Sequence, residues 1–472
     1  MSFLSKIPWR ELPRRNKVRF VVVLVLYLLW TLWVGNAWLL LGVPVIFDAY
    51  VTRKVHWCFW KRKDGKNGIV REWIDALIFA LVAVSLINIF LFQMYKIPSG
   101  SMEKTLLIGD HLYVSKLKYG PRIPNTPIAF PFAQHTLPGT KNVKSYVEWI
   151  KWPYKRLKGF TELKRGDIVV FNFPEGDTVV VENQAESYYS IVRELGSQMA
   201  ASDLQSGVQR DAAVYATQAR NYLEKWFTIT VRPVDRRDNY VKRCVAVPGD
   251  TLEVIGTKVY INGVAVFDDL EHVQFRYRIT TDGSRINPKT LEKMGVYQSD
   301  VMQLGDRLYS IPLTEQQAAQ VAGFAGVVHV ARHEEPQFSY NSRLFPHNTY
   351  YPWNEDYLGP LWIPQKGATV RLNTDNLCLY ERIITAYEHH ALEVRDGVIY
   401  IDGAPSDHYT FAMDYYFMMG DNQHDSADSR YWGFVPEDHV VGAPSFIWFS
   451  LNKEKQFPLN IRVSRMFKGA SK

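Results

Sequence analysis

Apolar runs dominate the first hundred residues of the chain. One run extends from Phe20 to Phe47, and a second covers residues 76–92 without a charged side chain. A helix that crosses a bilayer core needs about 20 predominantly apolar residues. The second run and its flanking residues therefore predict a transmembrane helix over residues 72–95.

The first apolar run is too long for a simple crossing. Its 28 residues would form a helix of about 42 Å, against a bilayer core of about 30 Å. Gly35-Asn36 near the middle is a candidate turn, although each half would be short for a full span. Basic residues flank the run on both sides, as is typical of cytoplasmic segments. This pattern favours a re-entrant or hairpin arrangement, with a single tilted span and an external N-terminus as the alternative.

After residue 95 the pattern changes to short apolar segments bounded by Gly, Pro and Asn, which is typical of β-strands. Predicted strands follow Gly109-Asp110 and Arg165-Gly-Asp167, lie within Tyr240–Val247, and close the chain at Phe446–Phe449. Residues at about 184–226 keep helical spacing instead. They predict a helical insertion between two strands that should pair.

Residues 252–415 contain an internal repeat. The stretch from Leu252 to Gly263 matches that from Leu392 to Gly403 at six of twelve positions without gaps. One copy ends in Asn-Gly and the other in Asp-Gly, both strong signals for a hairpin turn. The repeat predicts two structural hairpins within a second, non-catalytic β-rich unit.

These patterns divide the chain into five segments. They are an N-terminal membrane segment with a basic loop (1–71), a transmembrane helix (72–95), the first part of a β domain that contains the helical insertion (96–251), the second β-rich unit (252–415) and the closing part of the β domain (416–472).

Charge is concentrated at the N-terminus. Residues 1–71 hold thirteen Lys or Arg and three Asp or Glu, a net of +10, whereas the whole chain has +7, so the remainder carries −3. Such a basic excess beside apolar segments indicates positive-inside topology and contact with anionic lipid. With no zinc pattern and no helix-turn-helix signal, nucleic-acid binding is not expected. Three cysteines, Cys58, Cys244 and Cys378, are too few for a disulfide scaffold.

Residues 146–160 mix aromatic and basic side chains. The members are Trp149, Trp152, Tyr154 and Phe160, together with several lysines and Arg156. Amphipathic rings of this kind suit a membrane–water interface. Packing of the rings on the domain's own sheet is an equally good interpretation.

Three polar features stand out against this background. The turn Pro98-Ser-Gly-Ser-Met102 directly follows the predicted membrane helix. Lys242 interrupts an apolar strand, although charged side chains are rarely buried without a partner. A dense polar loop extends from Met419 to Pro436 and suggests a segment held by its own hydrogen bonds.

In these features the chain resembles the bacterial type I signal peptidases, membrane serine proteases that remove secretory leader peptides. Each motif is weak alone, but five of them in this order behind a membrane span are specific. They cover less than a third of the chain. The motifs are Pro98-Ser-Gly-Ser-Met102, Arg165-Gly-Asp167, Tyr240-Val-Lys-Arg243, Pro248-Gly-Asp250 and Gly420-Asp-Asn followed by Ser426-Ala-Asp-Ser-Arg430.

The resemblance implies that Ser101 is the nucleophile and Lys242 the general base. A serine hydroxyl is a weak nucleophile until a base accepts its proton. A free lysine, with a pKa near 10.4, is a poor base at neutral pH, but burial lowers that value. The resemblance further implies that Ser426 orients the lysine amine and that Ser99 helps the amide of Ser101 to stabilise the oxyanion.

Two further sets of residues follow from the resemblance. Arg243, Asp428 and Arg430 match a supporting charged network. The walls of shallow pockets for small substrate residues match Ile97, Pro98, Met102, Leu106, Tyr240 and Val241. The helical insertion, the large unit at 252–415 and Gln423-His424-Asp425 depart from the usual family pattern.

The resemblance implies a mainly β catalytic domain with a signal-peptidase-like β fold, anchored by N-terminal transmembrane helices. Its activity would be cleavage of exported preproteins after Ala-x-Ala-like sequences, without a cofactor or metal. The expected partners are secretory preproteins, the lipid bilayer and the secretion machinery. The expected location is the bacterial plasma (inner) membrane, with the catalytic domain on the extracytoplasmic (periplasmic) side.

Three other interpretations remain. A Ser-His-Asp protease would combine Ser101 with His424 and either Asp421 or Asp425. A Ser/Lys self-cleaving repressor would need a DNA-binding module, for which the sequence has no signal. A catalytically idle membrane scaffold or chaperone that binds secreted peptides would not need the intact serines and lysine. His389-His390 does not indicate a metal site, because adjacent side chains on a strand face opposite ways.

Overall fold

The computed structural model describes Trp9 and residues 12–57, 68–267 and 271–470. The helices of these residues are α1 (Arg14–Val34), α2 (Gly42–Phe47), α3 (Ile69–Phe90), α4 (Tyr188–Gln205), α5 (Ala212–Trp226), α6 (Pro288–Lys293), α7 (Glu315–Ala322), α8 (Leu377–Arg382) and α9 (Ser429–Trp432).

The strands in the same part of the chain are β1 (Phe92–Lys96), β2 (Asp110–Ser115), β3 (Ile168–Asn172), β4 (Thr178–Val180), β5 (Ile229–Val231), β6 (Asn239–Ala246), β7 (Thr251–Ile255), β8 (Lys258–Ile261), β9 (Val264–Val266), β10 (Phe275–Thr281), β11 (Met302–Gly305), β12 (Leu308–Leu313), β13 (Val327–Arg332), β14 (Tyr357–Trp362), β15 (Thr369–Arg371), β16 (Leu392–Arg395), β17 (Val398–Ile401), β18 (Ala404–Pro405), β19 (His408–Thr410), β20 (Tyr415–Met419), β21 (Val435–Pro436) and β22 (Val440–Ser450).

The first apolar run folds as a hairpin. Helix α1 ends at Gly35, which adopts a left-handed conformation (φ 65°) and donates its N–H to the Thr31 carbonyl. The chain then returns along α1, so that Phe20 packs edge-to-face on Phe47 with 5.9 Å between the ring centres. Helix α1 begins within the basic N-terminal segment and has 21 residues. It is therefore about 31 Å long, which is enough to cross a bilayer core. The return segment, residues 37–52, is shorter.

Helix α3 follows the basic loop and leads directly into the main sheet. It ends at Phe90, five residues before the predicted boundary, because Phe92–Lys96 pairs with β2 as strand β1 instead. In the described part of the chain, α1 and α3 are the two helices with the length and apolar composition needed to cross a membrane.

The main sheet has seven strands in the order β1-β2-β22-β3-β6-β20-β21. Strands β3 and β6 pair antiparallel from Ile168 opposite Arg243 to Asn172 opposite Asn239, as expected on either side of the insertion. Strand β22, near the end of the chain, lies between β2 and β3. The sheet therefore joins the segments on either side of 252–415 into one mainly β domain.

The predicted helical insertion is a hairpin of α4 and α5. Its apolar side contains Ala219 and Leu223, which pack with Tyr188 and Val192 of α4. Trp226 is 63% exposed, because α5 turns it away from this small core.

The region 252–415 is not one separate unit. Each repeat forms a hairpin, β7-β8 in the first and β16-β17 in the second. A third strand, β9 or β18, then pairs with the second strand of each hairpin. Their core is continuous with Val245 and Ala246 of β6 and Phe417 of β20. Hydrophobic contacts therefore cross the predicted boundaries at 251/252 and 415/416, and the division into domains stays a prediction. Strands β10–β13 with α6 and α7 have a core of their own, around Ile279 and Ile311.

Residues 146–160 form an irregular loop whose rings differ in burial. Trp149 and Phe160 are 86% and 82% exposed, so they do not pack on the sheet. Tyr154 is partly buried and accepts a hydrogen bond from Arg156 Nε at 3.0 Å. Cys244 and Cys378 are free thiols, and Cys58 lies outside the described residues.

Candidate active site

The serine turn connects β1 to β2 at one edge of the sheet. Ile97 donates its N–H to the Asp110 carbonyl at 2.8 Å, which closes the turn at its base. The amide of Leu106 then donates to the Met102 carbonyl at 2.7 Å. Since the side chains of Met102 and Leu106 are buried in the core, the turn holds Ser101 partly exposed at the surface.

Lys242 lies in β6, opposite Val169 of β3, and is 2% exposed. Its ammonium donates a short hydrogen bond to the Ser101 hydroxyl. Burial lowers the pKa of Lys242 to about 8, and the nearby carboxylate of Asp428 partly opposes that shift. The strand therefore supplies a lysine that is neutral in an appreciable fraction of molecules near neutral pH.

The polar loop after β20 is bound to the serine turn through Asn422. Its backbone N–H donates to the Ser101 carbonyl, and its side-chain amide donates to the Gly100 carbonyl, both at 3.1 Å. A Cβ on Gly420 would lie 2.5 Å from the Ser101 carbonyl oxygen and would overlap the Ser426 hydroxyl. This close approach requires a glycine.

Two buried ion pairs hold this loop in place. Arg243 donates to the Asp421 carboxylate from Nε and Nη2 at 2.8 and 2.7 Å, and the Thr105 hydroxyl donates to the same carboxylate. Arg430 donates to Asp428 from Nε and Nη2 at 3.0 and 2.8 Å. Burial disfavours the Asp428 carboxylate, but the Arg430 guanidinium outweighs it and the pKa of Asp428 is lowered.

The two remaining predicted hydroxyls differ in burial. The Ser426 hydroxyl is buried beneath Gly420 and has no hydrogen-bond partner within the described ranges, so its expected bond to Lys242 is not formed in this structure. Ser99 is exposed on the same turn as Ser101.

The predicted pocket residues divide by burial. Ile97, Met102 and Leu106 are buried together in one core cluster, with Val241 packed against it. Pro98 is exposed, and Tyr240 is partly exposed. A direct role of these residues in binding a peptide stays a prediction.

The geometry does not assemble the Ser-His-Asp alternative. His424 Nδ1 accepts the Arg276 N–H at 3.0 Å, so Nε2 carries the proton that faces Asp356 at 2.7 Å. Asp425 is bound to Arg276 at 2.8 Å. Both ring nitrogens of His424 are thus engaged with groups other than Ser101.

Sequence reasoning assigned no role to Asn422 or Thr105. Asn422 belongs to the Gly420-Asp-Asn motif, but its side-chain bond to the serine turn joins it to Gly100, 322 positions away. Thr105 offered no signal, because its hydroxyl is directed at Asp421 only by the fold.

The chain is similar to known signal peptidases over most of its length. The family model described as "Signal peptidase, peptidase S26" matches residues 70–310 and 367–449. The chain is 23% identical to signal peptidase I of Haemophilus influenzae over 398 residues, which are 84% of this chain and 74% of the relative. It is 21% identical to signal peptidase I of Helicobacter pylori over 408 residues, 84% of this chain and 90% of the relative.

A shorter match has a higher identity. Signal peptidase I of Buchnera aphidicola from Schizaphis graminum is 54% identical over 52 residues, or 11% of this chain and 17% of that protein. Identity is thus concentrated in a small part of the chain, whereas the family model matches more than half of it. The chain belongs to the signal peptidase family, peptidase S26.

Proposed function

We propose that this protein is a membrane-anchored signal peptidase in which Ser101 attacks the scissile bond and Lys242 is the general base. It acts on exported preproteins and removes their signal peptides after small, Ala-x-Ala-like sequences. The observation that carries the proposal is the hydrogen bond from the buried Lys242 ammonium to the Ser101 hydroxyl.

The reaction follows from this pair. The neutral Lys242 amine accepts the Ser101 proton as Oγ attacks the scissile carbonyl carbon. The Ser101 N–H and the Ser99 hydroxyl stabilise the oxyanion that develops. The Lys242 ammonium then returns its proton to the leaving amine, and the signal peptide remains as an ester on Ser101. Water, deprotonated by the same lysine, hydrolyses that ester and restores both groups.

Neighbouring residues hold Ser101 and Lys242 in position. Asn422 fixes the backbone on either side of Ser101, and Arg243 holds the Asn422 loop through Asp421. Ser426 acts as the positioning hydroxyl for the lysine amine once substrate fills the site. Arg430 and Asp428 support the loop from its buried side.

The membrane side of the proposal rests on α1 and α3. Basic residues lie around the start of α1 and between residues 51 and 71, and they keep these two basic regions on the cytoplasmic side of the membrane. Helix α3 then delivers the catalytic domain to the extracytoplasmic (periplasmic) side of the plasma membrane. Exported preproteins arrive there, so we also infer association with the secretion machinery.

Cleavage of a purified preprotein in detergent tests this function. We expect Ser101→Ala and Lys242→Ala each to lower kcat/KM by about 1,000-fold or more, as removal of a nucleophile or its base does. The exposed Ser202→Ala and Lys164→Ala are matched controls that should cleave normally. An idle peptide-binding scaffold would bind the preprotein without cleaving it, and normal turnover by the Lys242 variant would exclude the Ser/Lys mechanism.

A further inference from the structure

The tip of the membrane hairpin touches the catalytic domain. Lys155, in the loop between β2 and β3, donates from Nζ to the Val34 carbonyl at 2.7 Å and to the Gly35 carbonyl at 3.3 Å. Trp33 Nε1 donates to the Lys158 carbonyl at 3.2 Å. These two residues of the loop and Trp33, Val34 and Gly35 constitute the hairpin-tip contact.

The chemistry of this contact suits the end of a membrane helix. The last carbonyls of a helix have no intrahelical partner, and the helix macrodipole places partial negative charge there. An ammonium that donates to them makes a charge-assisted hydrogen bond. Gly35, at the turn, has a positive φ of 65°, which favours glycine.

The loop end of the contact is firmly bound to the catalytic sheet. Arg156, next to Lys155, donates to the Gly120 carbonyl at 2.8 Å. Its Nη2 also donates to the Glu437 and Val440 carbonyls, at 2.8 and 2.5 Å, where β22 begins. A force on Lys155 is therefore transmitted to β22, an interior strand of the sheet.

The helix end of the contact is bound to the second membrane helix. Trp30 and Trp33 of α1 meet Phe90 of α3 with 5.7 and 6.0 Å between ring centres. Phe90 is the last residue of α3, and β1, which leads to Ser101, begins two residues later. Helix α3 is joined directly to the sheet through Leu91, and the hairpin-tip contact adds a second connection through α1.

We propose that the hairpin-tip contact fixes the position of Ser101 relative to the bilayer surface, and so selects which bond of a membrane-inserted preprotein is cut. The inference rests on the proposed function and concerns the same site. The apolar part of a signal peptide is held by the bilayer, so the height of Ser101 above the surface decides which residue reaches it. Lys155 is a positioning residue in this scheme.

The test uses a preprotein with two Ala-x-Ala sites a few residues apart, inserted in lipid vesicles with the purified full-length enzyme. We expect the wild type to prefer one site. Lys155→Met should reduce that preference about tenfold, which corresponds to about 1.4 kcal/mol. Lys158→Met is the matched control, because it removes the same charge from the same loop while the Lys158 carbonyl still receives Trp33. Trp33→Phe, which keeps a ring but removes the donor, should act in the same direction as Lys155→Met.

Turnover of a soluble Ala-x-Ala peptide separates this inference from the proposed function. The Lys155 and Trp33 variants should cleave that peptide at the wild-type rate, since it is not held by the bilayer. An unchanged site ratio in both variants, or an equal loss on the soluble peptide and the preprotein, would overturn the inference. If the wild type cleaves neither substrate, or Ser101→Ala cleaves both, the proposed function itself is wrong.

Discussion

At the scale of single residues, the proposed mechanism depends on whether the Lys242 amine is protonated. Lys242 must be neutral to accept the Ser101 proton, and burial places its pKa at about 8. Below that value the ammonium dominates, so kcat/KM should fall about tenfold for each pH unit and should level off above it. A pH–rate profile on a soluble peptide measures this limb. A limb near the pKa of free lysine, about 10.4, would show that burial does not activate Lys242.

The buried hydroxyl of Ser426 gives a second prediction at this scale. It lies under Gly420 and has no partner in the part of the chain that the structure describes. We expect Ser426→Ala to lower kcat with little change in KM, because orientation of the base affects chemistry more than binding. The melting temperature should not fall, since an unsatisfied buried hydroxyl contributes no stabilising bond. A rise in KM alone would place Ser426 in the substrate pocket instead.

At the scale of elements, the contact between the polar loop and the serine turn depends on Gly420. In Gly420→Ala the new methyl group would meet the Ser101 carbonyl oxygen and the Ser426 hydroxyl, so the loop must move away. Displacements of about 1 Å at a reacting group can lower the rate about 100-fold. Gly305→Ala, where no atom lies within 4 Å of the added carbon, is the control. Equal kcat values for the two variants would show that the close approach is unnecessary.

The elements were predictable where local pattern determines them. The strands that carry the Arg165 and Lys242 motifs, the helical insertion and the two Asn-Gly and Asp-Gly hairpins all appear where their sequences indicate. The end of α3 could not be predicted, because the apolar sequence continues to Phe92. Only pairing with β2 makes Phe92–Lys96 a strand. The core shared by β6, β20 and residues 252–411 could not be predicted from the sequence either, since it depends on packing between distant segments.

The candidate site shows the same division. The family motifs pointed to Ser101 and Lys242, which the fold brings into contact. The bonds from Asn422 to the serine turn and the pairing of His424 with Asp356 could not be inferred, because they join segments that the sequence leaves independent.

At the scale of the whole molecule, the hairpin predicts the topology of the N-terminal segment in the membrane. Because the chain reverses at Gly35, Asn16 and Val55 should face the same, cytoplasmic side, and Asn36 the opposite side. Single cysteines at Asn16, Asn36 and Val55 can be treated in intact cells with a membrane-impermeant thiol reagent. We expect modification only at Asn36, compared with the chain that lacks an added cysteine. Modification at Asn16 would favour the single tilted span with an external N-terminus.

The position of β22 has a consequence for how the enzyme is made. Ser101 lies on the turn between β1 and β2, Lys242 lies on the β3–β6 pair, and β22 is the strand that joins these two pairs. It is also the last strand of the sheet to be synthesised and, in the proposed topology, to be translocated. We therefore expect the nucleophile and the base to be held together only once β22 has paired with both β2 and β3. Before that pairing we expect the enzyme to be inactive.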